Sequence, residues 1–196
     1  AQATAPGFAG IAVVRVSGEL TKSITKKITR QEVGHLQAKR TAFFNPEGKK
    51  IDDGIALGFF APNSYTGEDV LEISCHGSPV VVDEILKALL AFGARPAEPG
   101  EFTKRAYLND KIDLAQAEAV ADLIESKSAQ TARAARRSLE GVFSKKVFAL
   151  SDQLTETRVL VEASLDFPDE DLSETNYKKT LTTNLDKVNS AFVSLL

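Results

Sequence analysis

The sequence predicts an α+β protein, a mixed α/β part followed by an all-helical part, and three observations predict it. Up to about residue 98, short runs that alternate apolar and polar residues are interleaved with stripes at helical spacing. From Leu114 onward the apolar residues recur only at helical spacing. The change falls within residues 99–125, PGEFTKRAYLNDKIDLAQAEAVADLIE, which open on the turn signal Pro99-Gly100 and carry a second at Asn109-Asp110. Two domains are expected, residues 1–112 and 113–196.

Residues 11–17, IAVVRVS, read as a strand with Ala12, Val14 and Val16 on one face and Ile11, Val13 and Arg15 on the other. A helix carrying Leu20, Ile24 and Ile28 on one stripe follows, with Lys22, Lys26 and Lys27 on its solvated side. Residues 39–45 and 54–60 read as a hairpin joined through Pro46-Glu47-Gly48-Lys49. Residues 61–69, APNSYTGED, are a loop of turn formers. In the next strand, residues 70–75, alternation sets Leu71, Ile73 and Cys75 against Val70, Glu72 and Ser74. Pro79 opens a helix with Val82, Ile85, Leu86, Leu89 and Leu90 as its apolar stripe, and Gly93 is placed to end it. Lys104 and Arg105 mark a short cationic segment.

Asp113 is placed to cap a helix that carries Leu114, Ala117, Val120, Ala121 and Ile124. Beyond a break at residues 126–128, one long helix is predicted over 129–165, weakened by about 1 kcal/mol at Gly141. Its candidate buried positions include Ala135, Phe143, Val147, Leu150, Leu154 and Leu165. Pro168 ends that helix, and Ser173 caps a last one carrying Tyr177, Leu181, Leu185, Val188, Phe192 and Leu195. Three striped helices with short breaks make a bundle. Arg133, Arg136, Arg137, Lys145 and Lys146 form a loose basic cluster, read as a solvated face, the alternative being contact with RNA phosphates.

Composition excludes several classes. The formal charge of −3 does not announce a nucleic-acid binder. A single cysteine, Cys75, permits no internal disulfide and makes no metal cluster, so a reduced, cytoplasmic setting is the default. No apolar run approaches the ~20 residues of a membrane span, and the first residues lack the basic head of a secretory signal. The absence of methionine points to a trimmed piece of a longer chain. Gly48-Lys49 is no phosphate loop, because Phe43 stands where that motif needs glycine and Lys50 where it needs Ser or Thr. Cys75 and His76, neighbours in a strand, point to opposite faces and so make a poor nucleophile and base.

Three charges sit where a core would prefer none: Arg15, Glu72 and Lys111. Arg15 and Glu72 could simply neutralise one another, and Lys111 could be an exposed loop lysine. Together they also suit a ligand with an amidine-like donor edge at one end and acid groups at the other. No catalytic residue and no metal ligand stands out.

Several motifs carry a resemblance. They are ATAPG at 3–7 with VRVSG at 14–18, NSYTGEDVLE at 63–72 with Cys75-His76-Gly77, the 99–124 stretch, SLEGVFS at 138–144 and DFPDE at 166–170. In these motifs the chain resembles the bacterial tRNA-modification GTPases of the MnmE (TrmE) family, over nearly its whole length. Arg136 departs from it, standing where an apolar residue is more usual. The resemblance implies a first domain like the tetrahydrofolate-binding domain of the glycine-cleavage aminomethyltransferase, dimerising around a 5-formyl- or 5,10-methylene-tetrahydrofolate. By motif match its folate-binding residues fall on Arg15, Glu72 and Lys111. It further implies a homodimer and a partner flavoprotein, MnmG. With MnmG the family adds an aminomethyl-type group, such as carboxymethylaminomethyl, to carbon 5 of the wobble uridine of certain tRNAs. GTP hydrolysis would take place in a separate potassium- and magnesium-dependent domain expected after this stretch. A stand-alone folate-binding dimerisation module and a folate-dependent aminomethyltransferase remain the alternatives.

Overall fold

Period-two alternation decides the sheet. The computed structural model describes residues 1–166 and 174–194, so the expected end of a helix at Pro168 and the cap at Ser173 lie outside the described residues, as does Leu195. It divides into two units, 1–112 and 113–196. Among the described residues it holds one four-stranded antiparallel sheet and seven helices.

In the first unit the strands β1 (Ala9–Ser17), β2 (Ala38–Phe44), β3 (Lys50–Phe59) and β4 (Val70–Gly77) lie in the order β1-β4-β3-β2. Helices α1 (Thr21–Thr29) and α2 (Pro79–Ala91) pack on one face of the sheet. Ala12, Val14 and Val16 of β1 and Leu71, Ile73 and Cys75 of β4 are buried in the same core as Ile24, Ile28, Ile85 and Leu89. The opposite parity, including Val13, Arg15, Glu72, Ile55, Leu57 and Phe59, is partly or fully exposed, apart from Val70 at the start of β4, which is buried. Residues 1–3 run along the free edge of β1, where the Ala3 amide donates to Val13 O at 2.7 Å and the Arg15 amide to Ala1 O at 2.8 Å. Two of the expected stripe residues are surface residues instead: Leu20 precedes α1 and Leu90 lies on the outer side of α2.

Residues 101–108, read from sequence as a cationic segment between turns, form a helix, α3 (Glu101–Leu108). Gly100 precedes it at φ 74°, a left-handed conformation open to glycine at no steric cost.

The second unit differs from expectation at one place. The long helix is two helices, α5 (Ala129–Leu139) and α6 (Val142–Asp166), which follow α4 (Leu114–Glu125) and precede α7 (Glu174–Val193). Gly141 adopts φ 74° and breaks the run. Its amide donates to Ser138 O at 2.9 Å, and the Gln116 side chain of α4 donates to Leu139 O at 2.8 Å, satisfying α5's terminal carbonyls. The expected cap at Asp113 is present, with Asp113 Oδ1 accepting from the Gln116 amide at 2.9 Å. Contacts run from α4 to α5, α5 to α6 and α6 to α7. Of the expected buried positions, Ala135 and Leu150 are buried, whereas Phe143, Val147, Leu154 and Leu165 are exposed.

Candidate functional site

Antiparallel register places Arg15 of β1 directly opposite Glu72 of β4. Both belong to the parity that faces away from α1 and α2, so their side chains meet across the strands, as opposed residues do. Arg15 Nε donates to Glu72 Oε1 at 2.7 Å, and the side chains stay 39% and 24% exposed. One guanidinium nitrogen and one carboxylate oxygen make that bond. The terminal Arg15 nitrogens and Glu72 Oε2 make no other hydrogen bond among the described residues. Leu57 lies opposite Glu72 on the other side, so the pair stands beside an aliphatic neighbour.

Lys111 is not drawn into that pair. It belongs to the first unit, where Nζ donates to Pro62 O at 3.0 Å. Its stem runs close to Gly67, where an added Cβ would stand 3.3 Å from Lys111 Cγ and Cδ. Its one hydrogen-bond acceptor among the described residues is thus a neutral carbonyl, and its charge is unmatched there. A cavity of about 420 Å³ beside the end of β1 is lined by Arg15, Leu20, Leu86, Leu89 and Phe102 among others, but not by Glu72 or Lys111.

The loop at 61–69, whose Pro62 meets Lys111, is fastened by residues to which sequence reasoning gave no role in a site. Arg105 of α3 bridges two carboxylates: its Nη1 donates to Glu68 Oε2 at 2.9 Å, and its Nη2 to Glu101 Oε1 at 2.7 Å. Glu101 is buried and also accepts from both Arg95 terminal nitrogens and from the Glu98 amide. The hydrogen bond from Arg95, then that from the Glu98 amide, then that from Arg105 hold its carboxyl down to about 2. Ser17 Oγ donates to Glu68 Oε2 at 2.8 Å, joining the end of β1 to the same network. Asn109 Nδ2 donates to Thr66 O at 2.7 Å. Burial would raise the Asp69 carboxyl, but the Ala61 amide and Lys22 outweigh it and leave it below its ordinary value. The i,i+4 spacing of Glu101 and Arg105 was the available signal, and it speaks only once the stretch is known to be helical.

Cys75 and His76 separate as expected. Cys75 is buried, and burial, followed by the charge of Asp52, pushes its thiol up to about 11. His76 is exposed and its Nδ1 meets Asp52 Oδ1 at 2.8 Å. Among the described residues no group of His, Cys, Asp and Glu is arranged to hold a metal ion, and no helix is long and apolar enough to cross a membrane.

Comparison with known proteins agrees with the division into two units. The family model described as GTP-binding protein TrmE N-terminus matches residues 1–111, and that of the MnmE helical domain matches 114–196. The chain belongs to the MnmE (TrmE) family. Similar MnmE relatives, each named tRNA modification GTPase MnmE, come from Coxiella burnetii, 54% identical over 187 residues, and Aromatoleum aromaticum, 55% identical over 172. A third, from Pseudomonas aeruginosa, is 51% identical over 170 residues. These alignments cover 92%, 88% and 87% of this chain. The chain spans about two-fifths of the length of these MnmE relatives, covering 40%, 38% and 37% of them.

Proposed function

We propose that this chain carries the folate-holding and helical portions of a tRNA-modifying GTPase, with reduced folate bound at Arg15, Glu72 and Lys111. The observation that carries the reading is the half-used Arg15–Glu72 pair. Two charges placed only to neutralise one another would be expected to use more of their hydrogen-bonding capacity. Here Glu72 Oε2 and the Arg15 terminal nitrogens have no partner among the described residues, on the sheet face turned away from α1 and α2.

The donor set fits the ligand. Glu72 accepts the two parallel bonds of a pterin edge, one from the amino group and one from the ring N–H, on its two oxygens, Oε1 keeping the bond from Arg15 on its second lone pair. Arg15 fixes the orientation of that carboxylate and offers its outer nitrogens to polar ring atoms. Lys111 pairs with a carboxylate of the glutamate tail. Bound 5-formyl- or 5,10-methylene-tetrahydrofolate would supply the one-carbon unit. The Arg105 network holds the loop that contains Pro62, and so fixes where Lys111 stands. A likeness of the first unit to the aminomethyltransferase folate domain belongs to the same reading. So do a homodimer, the flavoprotein partner MnmG, modification at carbon 5 of the wobble uridine, a cytoplasmic setting, and GTP, K⁺ and Mg²⁺ in a further domain of the whole protein.

Calorimetry with 5-formyltetrahydrofolate tests it. Glu72→Ala abolishes measurable binding if this carboxylate reads the pterin edge. Glu72→Ala with undiminished affinity and an unchanged melting profile refutes the site.

A further inference from the structure

We propose that the elbow between α5 and α6 is an RNA-contacting surface, with Arg137 and Lys146 gripping phosphate and the Phe143 ring stacking on a base. The inference deepens the functional reading above and rests on it for the choice of RNA as ligand. Within the second unit, residues 133–146 hold five cations, Arg133, Arg136, Arg137, Lys145 and Lys146, against one acid, Glu140, in a chain whose net charge is −3. The structure sorts these cations. Arg136 Nε is spent on Glu140 at 3.1 Å, and Arg133 Nε donates to Ala129 O. Arg137, Lys145 and Lys146 have no acidic partner among the described residues.

The break at Gly141 then brings two of the unpaired cations to one place. Arg137 from the end of α5 and Lys146 from the start of α6 line a single hollow of about 220 Å³, together with Ala134, Ser138, Val142 and Phe143. On one uninterrupted helix the nine-residue step from Arg137 to Lys146 would turn them to opposite sides, since nine residues are two and a half turns. Phe143 is 50% exposed beside them. A hollow of this size is below the ~300–1,000 Å³ of small-molecule pockets and suits one contact point on a larger ligand. Unmatched cations answer phosphates, and an exposed aromatic ring offers a stacking platform for an unpaired base. An acidic peptide would satisfy the cations but leave the ring without a planar partner.

Fluorescence anisotropy of the whole chain with a labelled tRNA anticodon stem–loop tests this, titrated between about 50 and 200 mM KCl. The double variant Arg137→Ala/Lys146→Ala is expected to bind at least ~10-fold more weakly, with the log–log salt slope flattened by about 1.5, at 0.7–0.9 per lost phosphate contact. Phe143→Leu is expected to weaken binding with the slope unchanged. The pair Lys39→Ala/Lys104→Ala, two cations in the first unit, is expected to leave both values as they are. Helicity measured on each variant separates lost contact from lost fold. Wild-type affinity and slope in Arg137→Ala/Lys146→Ala overturn the proposal. So does a poly-glutamate peptide that competes as well as RNA, which would mark the patch as a protein-docking surface. A chain that binds 5-formyltetrahydrofolate but not the stem–loop sinks this inference and leaves the folate reading standing. Failure to bind either sinks both.

Discussion

Replacing Gly141 by alanine discriminates between two structures by the sign of its effect. Were residues 129–165 one helix, alanine in its middle would stabilise it by about 1 kcal/mol, because glycine is the costlier residue in a helix interior. In the structure Gly141 instead adopts φ 74°, where an L-residue with a Cβ is disfavoured by roughly 1–2 kcal/mol. The space around it adds little: the new methyl would stand 3.4 Å from Gln116 Nε2 and 3.9 Å from Gln116 Cδ, ordinary contact with a side chain that can yield. If Gln116 does yield, its hydrogen bond to Leu139 O lengthens, at a further cost of about 1 kcal/mol. Gly141→Ala is therefore expected to destabilise the helical unit by about 1–3 kcal/mol. In a unit of this size each kcal/mol lowers the melting temperature by roughly 4–8 °C. Thermal melts followed by far-ultraviolet circular dichroism read this directly. Gly141→Asn, which tolerates the left-handed region better, is expected to fall between wild type and alanine. A melting temperature that rises in Gly141→Ala would refute the elbow and, with it, the gathering of Arg137 and Lys146.

Further outcomes follow from the first unit. Glu101 titrates at about 2 against an ordinary 4.5, so its ion pairs stabilise the fold fully above about pH 4.5 and are lost as pH falls toward 2. Glu101→Gln is expected to be less stable than wild type at neutral pH and to lose less stability across that acid range, measured by urea unfolding at each pH. Cys75, with its thiol at about 11, is expected to resist iodoacetamide at pH 8 until the chain is unfolded, and His76→Ala is expected to leave that rate unchanged. Ile85→Ala, emptying a fully buried site between α2 and the sheet, is expected to cost about 2–5 kcal/mol in chemical denaturation.

What the sequence made legible follows from the range of each interaction. The buried faces of β1 and β4 were readable because period-two alternation is local and both strands keep it from Ala12 to Val16 and from Leu71 to Cys75. The pairing of Arg15 with Glu72 was readable as chemistry, two opposite charges in core-like strands, although the register that sets them face to face spans 57 residues. Glu68 and Arg105, 37 residues apart, gave no such sign, since a loop carboxylate and a helical arginine look solvated until the chain folds them together. Helix α3 was missed because eight residues with three charges show too little of a stripe. Gly141 was weighed at its helix-interior cost of ~1 kcal/mol, which is too small to decide between a weakened helix and a broken one. Tertiary capping by Gln116 decided it.

The strip formed by residues 1–3 along β1 has a practical meaning for anyone who handles this protein. An unpaired sheet margin is a template for other chains, and β1 would present one next to Ile11 and Val13 if the strip were gone. The opposite margin, β2, carries Lys39 and Arg40, charges that discourage such stacking. Trimming a handful of residues from the start of the chain would thus bare one flank while leaving the other guarded. The harm would appear first as clumping at high concentration, well before any loss of melting temperature.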